Sequence, residues 1–172
     1  MSQRRELILV DEQDNIIGTA GKLEAHRKGL LHRAFSVFVF DREGRMLLQK
    51  RAAGKYHSAG LWTNACCSHP IPNETVINAA HRRLYEEMGF DCSLTEIGSF
   101  IYREALDNFL TEYEYDHILK GIYQGIIIPN SAEVSAYRWV DLNVLRQELY
   151  YSPEQFTVWF RIIMKKFLIE GK

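Results

Sequence analysis

The residues able to do chemistry fall in a few short stretches of the chain. Arg82-Arg83-Leu84-Tyr85-Glu86-Glu87 sets paired bases beside paired acids, just ahead of Gly89. Adjacent glutamates near a helix end can give one carboxylate to a hard divalent ion and one to its outer shell, because such ions take oxygen ligands and keep several waters. Arg83 can then act in two ways. It can form a fork for phosphate oxygens, or it can pair with Glu87 one helical turn on. A second stretch is Thr111-Glu-Tyr-Glu-Tyr-Asp-His117. Alternate residues of a strand share a face, so Glu112, Glu114 and Asp116 point one way and Tyr113, Tyr115 and His117 the other. Two carboxylates with His26, His32 and His69 could ligate Mn²⁺, Mg²⁺ or Zn²⁺, since mixed imidazole–carboxylate sets do not discriminate sharply. The third stretch is Trp62-Thr-Asn-Ala-Cys-Cys-Ser-His-Pro70. Cys67 lies two residues before His69, so an ion at His69 would have a thiol beside it. A free thiol has a pKa of about 8.5, lowered near cations, and can then take or give a proton.

These residues need elements to position them. Leu7–Val10 and Ile16–Ala20 flank a polar turn and predict a hairpin. Ala34–Phe40 (AFSVFVF) reads as a buried strand, with Met46–Lys50 returning as its partner across Asp41-Arg-Glu-Gly44. Residues 51–73 hold Gly, Pro, Ser, Asn and His without periodicity, and read as a functional loop. Asn73–Met88 switches to helical spacing, with Val76, Ile77, Ala80, Leu84 and Met88 on one stripe and Gly89 as the stop. Ile97–Arg103, Glu112–Tyr123 and Ala136–Val140 read as strands. Asp141 is placed to cap a helix over Leu142–Leu149. Ser152-Pro-Glu-Gln155 has the form of a capping box opening a helix over Pro153–Leu168. Strands and helices mix without a regular βαβ period, which predicts an α/β (α+β) mixed sheet flanked by helices on two faces.

Composition narrows the classes. The chain has 172 residues, 21 Lys+Arg against 22 Asp+Glu, and a formal net charge of −1. That balance disfavours binding to nucleic acid or to a membrane by bulk charge. Hydrophobic residues at 47% are enough for a real core, and no apolar run approaches the roughly 18 residues that span a bilayer. The start, MSQRRELILVDEQDN, does not have the form of a signal peptide. Three cysteines, two of them adjacent, argue against a disulfide framework and for a reducing, cytoplasmic setting. With no repeat and no Pro-rich linker, residues 1–172 read as a single domain.

Ser68-x5-Glu74-x7-Arg82-Arg83-Leu84-x-Glu86-Glu87-x-Gly89-Phe90 resembles the Nudix box, a loop and helix that bind divalent metal against a diphosphate. The usual box opens with Gly and carries Arg-Glu before the apolar residue; Ser68 and Arg83 stand there instead. Losing a carboxylate at Arg83 weakens a hydrolytic site, which needs several metals or a base to activate water. Added to Thr63-Asn-x-Cys-Cys-Ser-His-Pro, Lys22-x3-His26-x5-His32, Arg51-x3-Lys55 and the Glu-x-Glu strand, the chain from Lys22 to Trp159 resembles the metal-dependent (type I) isopentenyl-diphosphate isomerases. That family tolerates Ser in place of the box glycine.

The resemblance implies a Nudix-like α/β/α sandwich and an isomerase acting in isoprenoid biosynthesis. It implies that His26, His32, His69, Glu112 and Glu114 hold a first divalent ion, Mn²⁺, Mg²⁺ or Zn²⁺. Glu87 would hold a second, Mg²⁺, through the substrate diphosphate. Glu114, helped by Tyr102, would protonate the alkene from one face, and Cys67 would remove an allylic proton from the other. The intermediate is a tertiary carbocation. Trp159 matches the family's tryptophan, and a desolvated ring face can stabilise a cation by about 2 kcal/mol. Lys22, Arg51, Lys55 and Ser68 would contact the diphosphate, and the helix argument adds Arg83. Anchoring the charged end lets binding energy orient a short hydrocarbon tail. The partner implied is a small prenyl diphosphate, with no nucleic acid and no membrane, on a monomer or weak homodimer.

Plainer readings stand beside these. His57, His81 and His117 read as structural or surface histidines, Cys66 and Cys92 as small packed residues, Trp62 as pocket wall or core, and Tyr113 and Tyr115 as packing. Cys-x-His with two further histidines could be a structural zinc site, but the glutamates would then have no task. A Nudix pyrophosphohydrolase needs no thiol. A non-catalytic diphosphate- or metal-binding module would be expected to lose Cys67, His69 or Glu114, and the chain has all three.

Overall fold

A computed structural model describes residues 6–169. In chain order the elements are β1 (Glu6–Val10), β2 (Ile16–Gly21), α1 (Lys22–Lys28), β3 (His32–Phe40), β4 (Met46–Arg51), β5 (Trp62–Thr63), β6 (Cys66–Ser68), α2 (Val76–Met88), β7 (Leu94–Ala105), β8 (Thr111–Ile122), β9 (Val134–Val140), α3 (Leu142–Tyr151) and α4 (Val158–Ile163). The strands form one mixed sheet centred on β3. It pairs antiparallel with β1, β4 and β6, and parallel with β8. β7 extends β8, while β5 and β9 pair with β4.

The apolar run in β3 is buried on both faces, and its alternation divides the core. Phe35, Val37 and Val39 pack with Ala79, Ala80, Leu84 and Met88 of α2. Phe38 and Phe40 pack on the other face with Leu145 of α3 and Phe160 and Ile163 of α4. Full burial of such a side chain contributes about 1.5–3 kcal/mol. Helices therefore cover both faces of the sheet, as the sequence predicts. Ser36, the one polar residue in the middle of β3, is buried as well.

Four expectations are corrected. The helix predicted from Asn73 starts at Val76, because Asn73 sits at φ 67°, outside helical space, and Thr75 caps the helix by accepting from the Asn78 N–H at 3.2 Å. Its inner face differs too. Ile77 is exposed, while Arg83 and Glu87 are buried as a pair beside Ala80, Leu84 and Met88. The capping box at Ser152 does not form, since its side chain accepts no cap hydrogen bond and Pro153–Gln155 make a single 3-10 turn. The working cap is Thr157, which accepts from the Phe160 N–H, so α4 starts at Val158 and passes into a π-helical turn at Met164–Ile169. Tertiary contact decides this, because Phe156 is fully buried and bridges to Trp62. The loop 51–73 also holds the short strands β5 and β6, whose partners lie far away in sequence.

Gly89 closes α2 at φ 73°, its N–H donating to the Tyr85 carbonyl. A Cβ there would lie 2.1 Å from the Ile128 carbonyl oxygen. Gly89→Ala is expected to destabilise the protein by more than about 1 kcal/mol, read as a lower urea midpoint with an unchanged m-value. An unshifted midpoint would show that the Ile128 backbone yields at no cost.

Candidate active site

The side chains converge because of strand register. β8 alternates, burying Glu112, Glu114 and Asp116. Parallel pairing sets His32 opposite Glu114, and β7 sets Tyr102 opposite Glu114 on the other side. β6 turns Cys66 into the α2 core and leaves Cys67 on the opposite face, across from Ser36. α1 buries Ala25 and His26. A cavity of about 190 Å³ results. Cys67, Glu114, Glu112, Tyr102, His69 and Trp159 all line it. So do the cations Lys22, Arg51, Lys55 and Arg83, with Ser68 and Glu87.

His26, His32, His69 and Glu114 bring one ligand atom each to within 4.8 Å of one another. His69 Nε2 is 3.0 Å from Glu114 Oε1, and His32 Nε2 is 3.5 Å from it. His26 Nδ1 and His32 Nδ1 lie 2.7 and 2.8 Å from the Lys22 and Leu30 carbonyl oxygens. Those carbonyls can only accept, so each Nδ1 carries its hydrogen and each Nε2 is left as a lone-pair donor. Both Nε2 atoms are buried without a hydrogen-bond partner. Burial holds the His26 pKa down and lowers His69 to about 3, favouring neutral imidazoles. Two buried, unpartnered ring nitrogens converging with His69 on a carboxylate fit a divalent ion.

Glu112 lies beside that cluster rather than among its four groups. The Tyr102 hydroxyl is 2.9 Å from Glu112 Oε2 and 2.8 Å from Glu114 Oε2, bridging the two carboxyls. Burial and the neighbouring Glu114 charge push Glu112 up to about 8. Burial also opposes the Glu114 charge, but the imidazoles of His32 and His69 beside it hold its pKa well below the usual carboxylate range. The pair therefore carries one proton and one charge near neutrality. Cys67 departs from the sequence expectation. Burial and the nearby Asp116 charge raise its pKa, and the hydrogen bonds to Ser36 and Asn64 offset them only in part.

Also lining the cavity, Arg83 donates to Glu86 at 2.5 Å and to Glu87 at 2.6 Å. The pairing along the helix is thus real, yet the Arg83 Nε stays buried without a partner. Gln49 Nε2 holds the other Glu87 oxygen at 2.8 Å. Lys55 pairs with Glu133. Burial, with Lys55 and Arg51 nearby, lowers Lys22 to about 8, as expected of a cation gathered with others around an anion site. Arg51 lies 5.2 Å over the Trp159 ring.

His81 and His117 do not line the cavity and lie within hydrogen-bond distance of carboxylates, Asp91 for His81 and Asp14 and Glu96 for His117. His57, read as structural from the sequence, lines the cavity and packs edge-on against Trp159 at 5.7 Å. Sequence reasoning also gave no role to Ser36, Asn64 or Thr63. Ser36 had a signal, being a lone hydroxyl in an apolar strand.

Fold and site define a member of the Nudix superfamily, and the NUDIX domain family matches residues 30–160. A solved protein from Deinococcus radiodurans aligns with TM-score 0.78 at 17% identity, over 94% of this chain and 98% of that one. The dihydroneopterin triphosphate pyrophosphohydrolase of E. coli aligns at TM-score 0.55 and 18% identity, over 79% of this chain and 94% of that one, and shares the fold. Two curated relatives are far nearer in sequence. Isopentenyl-diphosphate Delta-isomerase 2 of Photorhabdus laumondii is 58% identical over 158 residues, covering 92% of this chain and 89% of its own length. Isopentenyl-diphosphate Delta-isomerase of Burkholderia multivorans is 50% identical over 160 residues, covering 93% and 91%. The chain belongs to the type I isopentenyl-diphosphate isomerase family.

Proposed function

We propose that the protein interconverts isopentenyl and dimethylallyl diphosphate in isoprenoid biosynthesis, using Cys67 and Glu114 as the two proton-transfer groups. One observation carries this reading: the sulfur and the carboxyl open into the same cavity, which Lys22, Arg51, Lys55 and Arg83 also line. Those cations and Ser68 bind the diphosphate, and the small cavity holds the five-carbon tail between the proton-transfer groups. From isopentenyl diphosphate, Glu114 gives a proton to the terminal alkene carbon, with Tyr102 connecting it to the proton on Glu112. Positive charge develops on the tertiary carbon, facing Trp159. Cys67 sulfur then takes a proton from the carbon next to the phosphate-bearing one, and the double bond moves. The enzyme ends with one proton fewer on Glu114 and one more on sulfur. Burial keeps Cys67 protonated at rest, so the reverse direction can begin from the resting state. The forward direction begins once sulfur has lost its proton and Glu114 has gained one.

His26, His32, His69 and Glu114, with Glu112 beside them, would hold an Mn²⁺, Mg²⁺ or Zn²⁺ ion. Glu87 would hold Mg²⁺ with the substrate diphosphate. Bound there, such ions supply positive charge that eases release of the Glu114 proton and screens the phosphates. No helix among the described residues is long and apolar enough to cross a membrane. The three free cysteines suit a cytoplasmic setting, and the enzyme is taken to work as a monomer or weak homodimer.

The test is incubation with isopentenyl diphosphate and Mg²⁺ in deuterated water. Deuterium in a dimethylallyl product is the expected result, and released phosphate or pyrophosphate would mean hydrolysis. A chelator should abolish the conversion and added divalent metal should restore it. Turnover that ignores the chelator would contradict the metal assignment.

A further inference from the structure

A buried chain of hydrogen bonds runs from the Trp159 ring to the Cys67 sulfur, and its direction can be read. Trp159 Nε1 donates to Thr63 Oγ1 at 3.0 Å, and Thr157 Oγ1 donates to the same oxygen at 3.0 Å. Thr63 Oγ1, with both lone pairs used, gives its own hydrogen to Asn64 Oδ1 at 3.0 Å. Asn64 cannot flip, because its Nδ2 donates to the Val37 and Cys66 carbonyls at 3.0 and 2.9 Å. Its Oδ1 therefore faces the sulfur as an acceptor, at 3.0 Å from Cys67 Sγ. Thr63, Asn64 and Thr157 are at most 2% exposed. Ser36 flanks the sulfur at 3.4 Å, while its hydroxyl hydrogen goes to Asp116 Oδ2 at 2.8 Å. From Trp159 Nε1 to Asn64 every side-chain polar atom of this chain is paired, which fixes rotamers as well as energy.

We propose that Thr63 and Asn64 are positioning residues that tie the Cys67 thiol to the Trp159 ring through this chain. The sulfur and the cation-facing ring then keep one mutual orientation. The inference rests on the isomerase reading. Neither residue touches the substrate. Their effect is to aim the sulfur at one of the two hydrogens on the carbon it deprotonates. Misplacing a reacting atom by about 1 Å can cost about 100-fold in rate, while the diphosphate contacts that dominate substrate binding are left alone.

The experiment uses isopentenyl diphosphate carrying deuterium stereospecifically at that carbon. In Thr63→Val, which keeps the shape and deletes the hydroxyl, kcat should fall about 10- to 100-fold with KM within about twofold, and removal of the disfavoured hydrogen should rise. Thr63→Ser should restore both. The ratio of hydrogens removed does not depend on how much protein is folded, so a merely structural role would leave it unchanged. Normal kcat and selectivity in Thr63→Val, or a Thr63→Ser as impaired as the valine, would overturn the proposal. Should the valine variant not fold, Trp159→Phe keeps a ring on the cavity and removes the N–H. It must shift selectivity in the same direction, and unchanged selectivity there overturns the proposal equally. Absence of turnover in the unaltered protein is a different failure, since it would remove the isomerase reading itself.

Discussion

Cys67→Ala is expected to lower turnover of isopentenyl diphosphate by about 10²–10⁴-fold or more, with KM little changed. The sulfur is the only group the reading gives for taking the allylic proton, and its neighbours cannot stand in for it. Asn64 Oδ1 is already shared with Thr63, and Ser36 is committed to Asp116. The cluster proposed to hold the metal does not include the sulfur, so metal content should hold at the unaltered level. Steady-state kinetics with metal analysis on the same sample would check both halves. Near-normal turnover would remove Cys67 from the mechanism, whereas lost metal with lost turnover would recast it as a support for His69.

Glu114→Gln is expected to be at least as damaging, because the proposed mechanism gives one carboxyl two tasks. It is the proposed acid, linked to Tyr102 at 2.8 Å, and it is also the oxygen donor among three imidazoles. An amide neither gives a proton at neutral pH nor carries the charge that a divalent ion needs. Turnover should drop by about 10⁴-fold, and bound metal should fall in parallel. A glutamine variant that keeps full metal and near-normal turnover would leave the acid role to Glu112, joined to the same tyrosine hydroxyl at 2.9 Å. The Cys67 and Glu114 variants thus differ in a measurable way, with metal retained in one and lost in the other.

Much of the framework was legible because period and composition agreed. β3 announced itself by an unbroken aromatic and β-branched run, β8 by the alternation of Glu112, Glu114 and Asp116, and α2 by its stripe and Gly89. What escaped depended on distant partners. α1 has only seven residues, Lys22–Lys28, mostly charged and bounded by Gly21 and Gly29, too short for a helical period to stand out. β6 is three residues long and exists because β3 pairs with it. The start of α4 was misread because Ser-Pro-Glu-Gln is a sound local signal that the burial of Phe156 overrides. In the site, residue types made the imidazoles, carboxyls and thiol candidates, and the resemblance to the isomerase family joined them into one ligand set and assigned the proton-transfer roles. The supporting amide and hydroxyls were not legible, because Asn64 and Thr63 matter only through what their atoms face. The raised pKa of Cys67 escaped for the same reason, as burial is a property of the packed sheet.

The parallel pairing of β3 with β8 bears on how the molecule is made. Ser36 and Asp116, hydrogen-bonded across that pair, are 80 positions apart in the chain, and His32 meets Glu114 through the same register. Closing so large a loop is entropically costly before any contact rewards it, and high contact order slows folding. The hairpin of β1 and β2 and the helix α2 can form early from local sequence, but neither brings the imidazoles to the carboxyl. The ligand set comes into being only with this late, non-local step, so a partly folded chain offers an ion scattered donors rather than a socket.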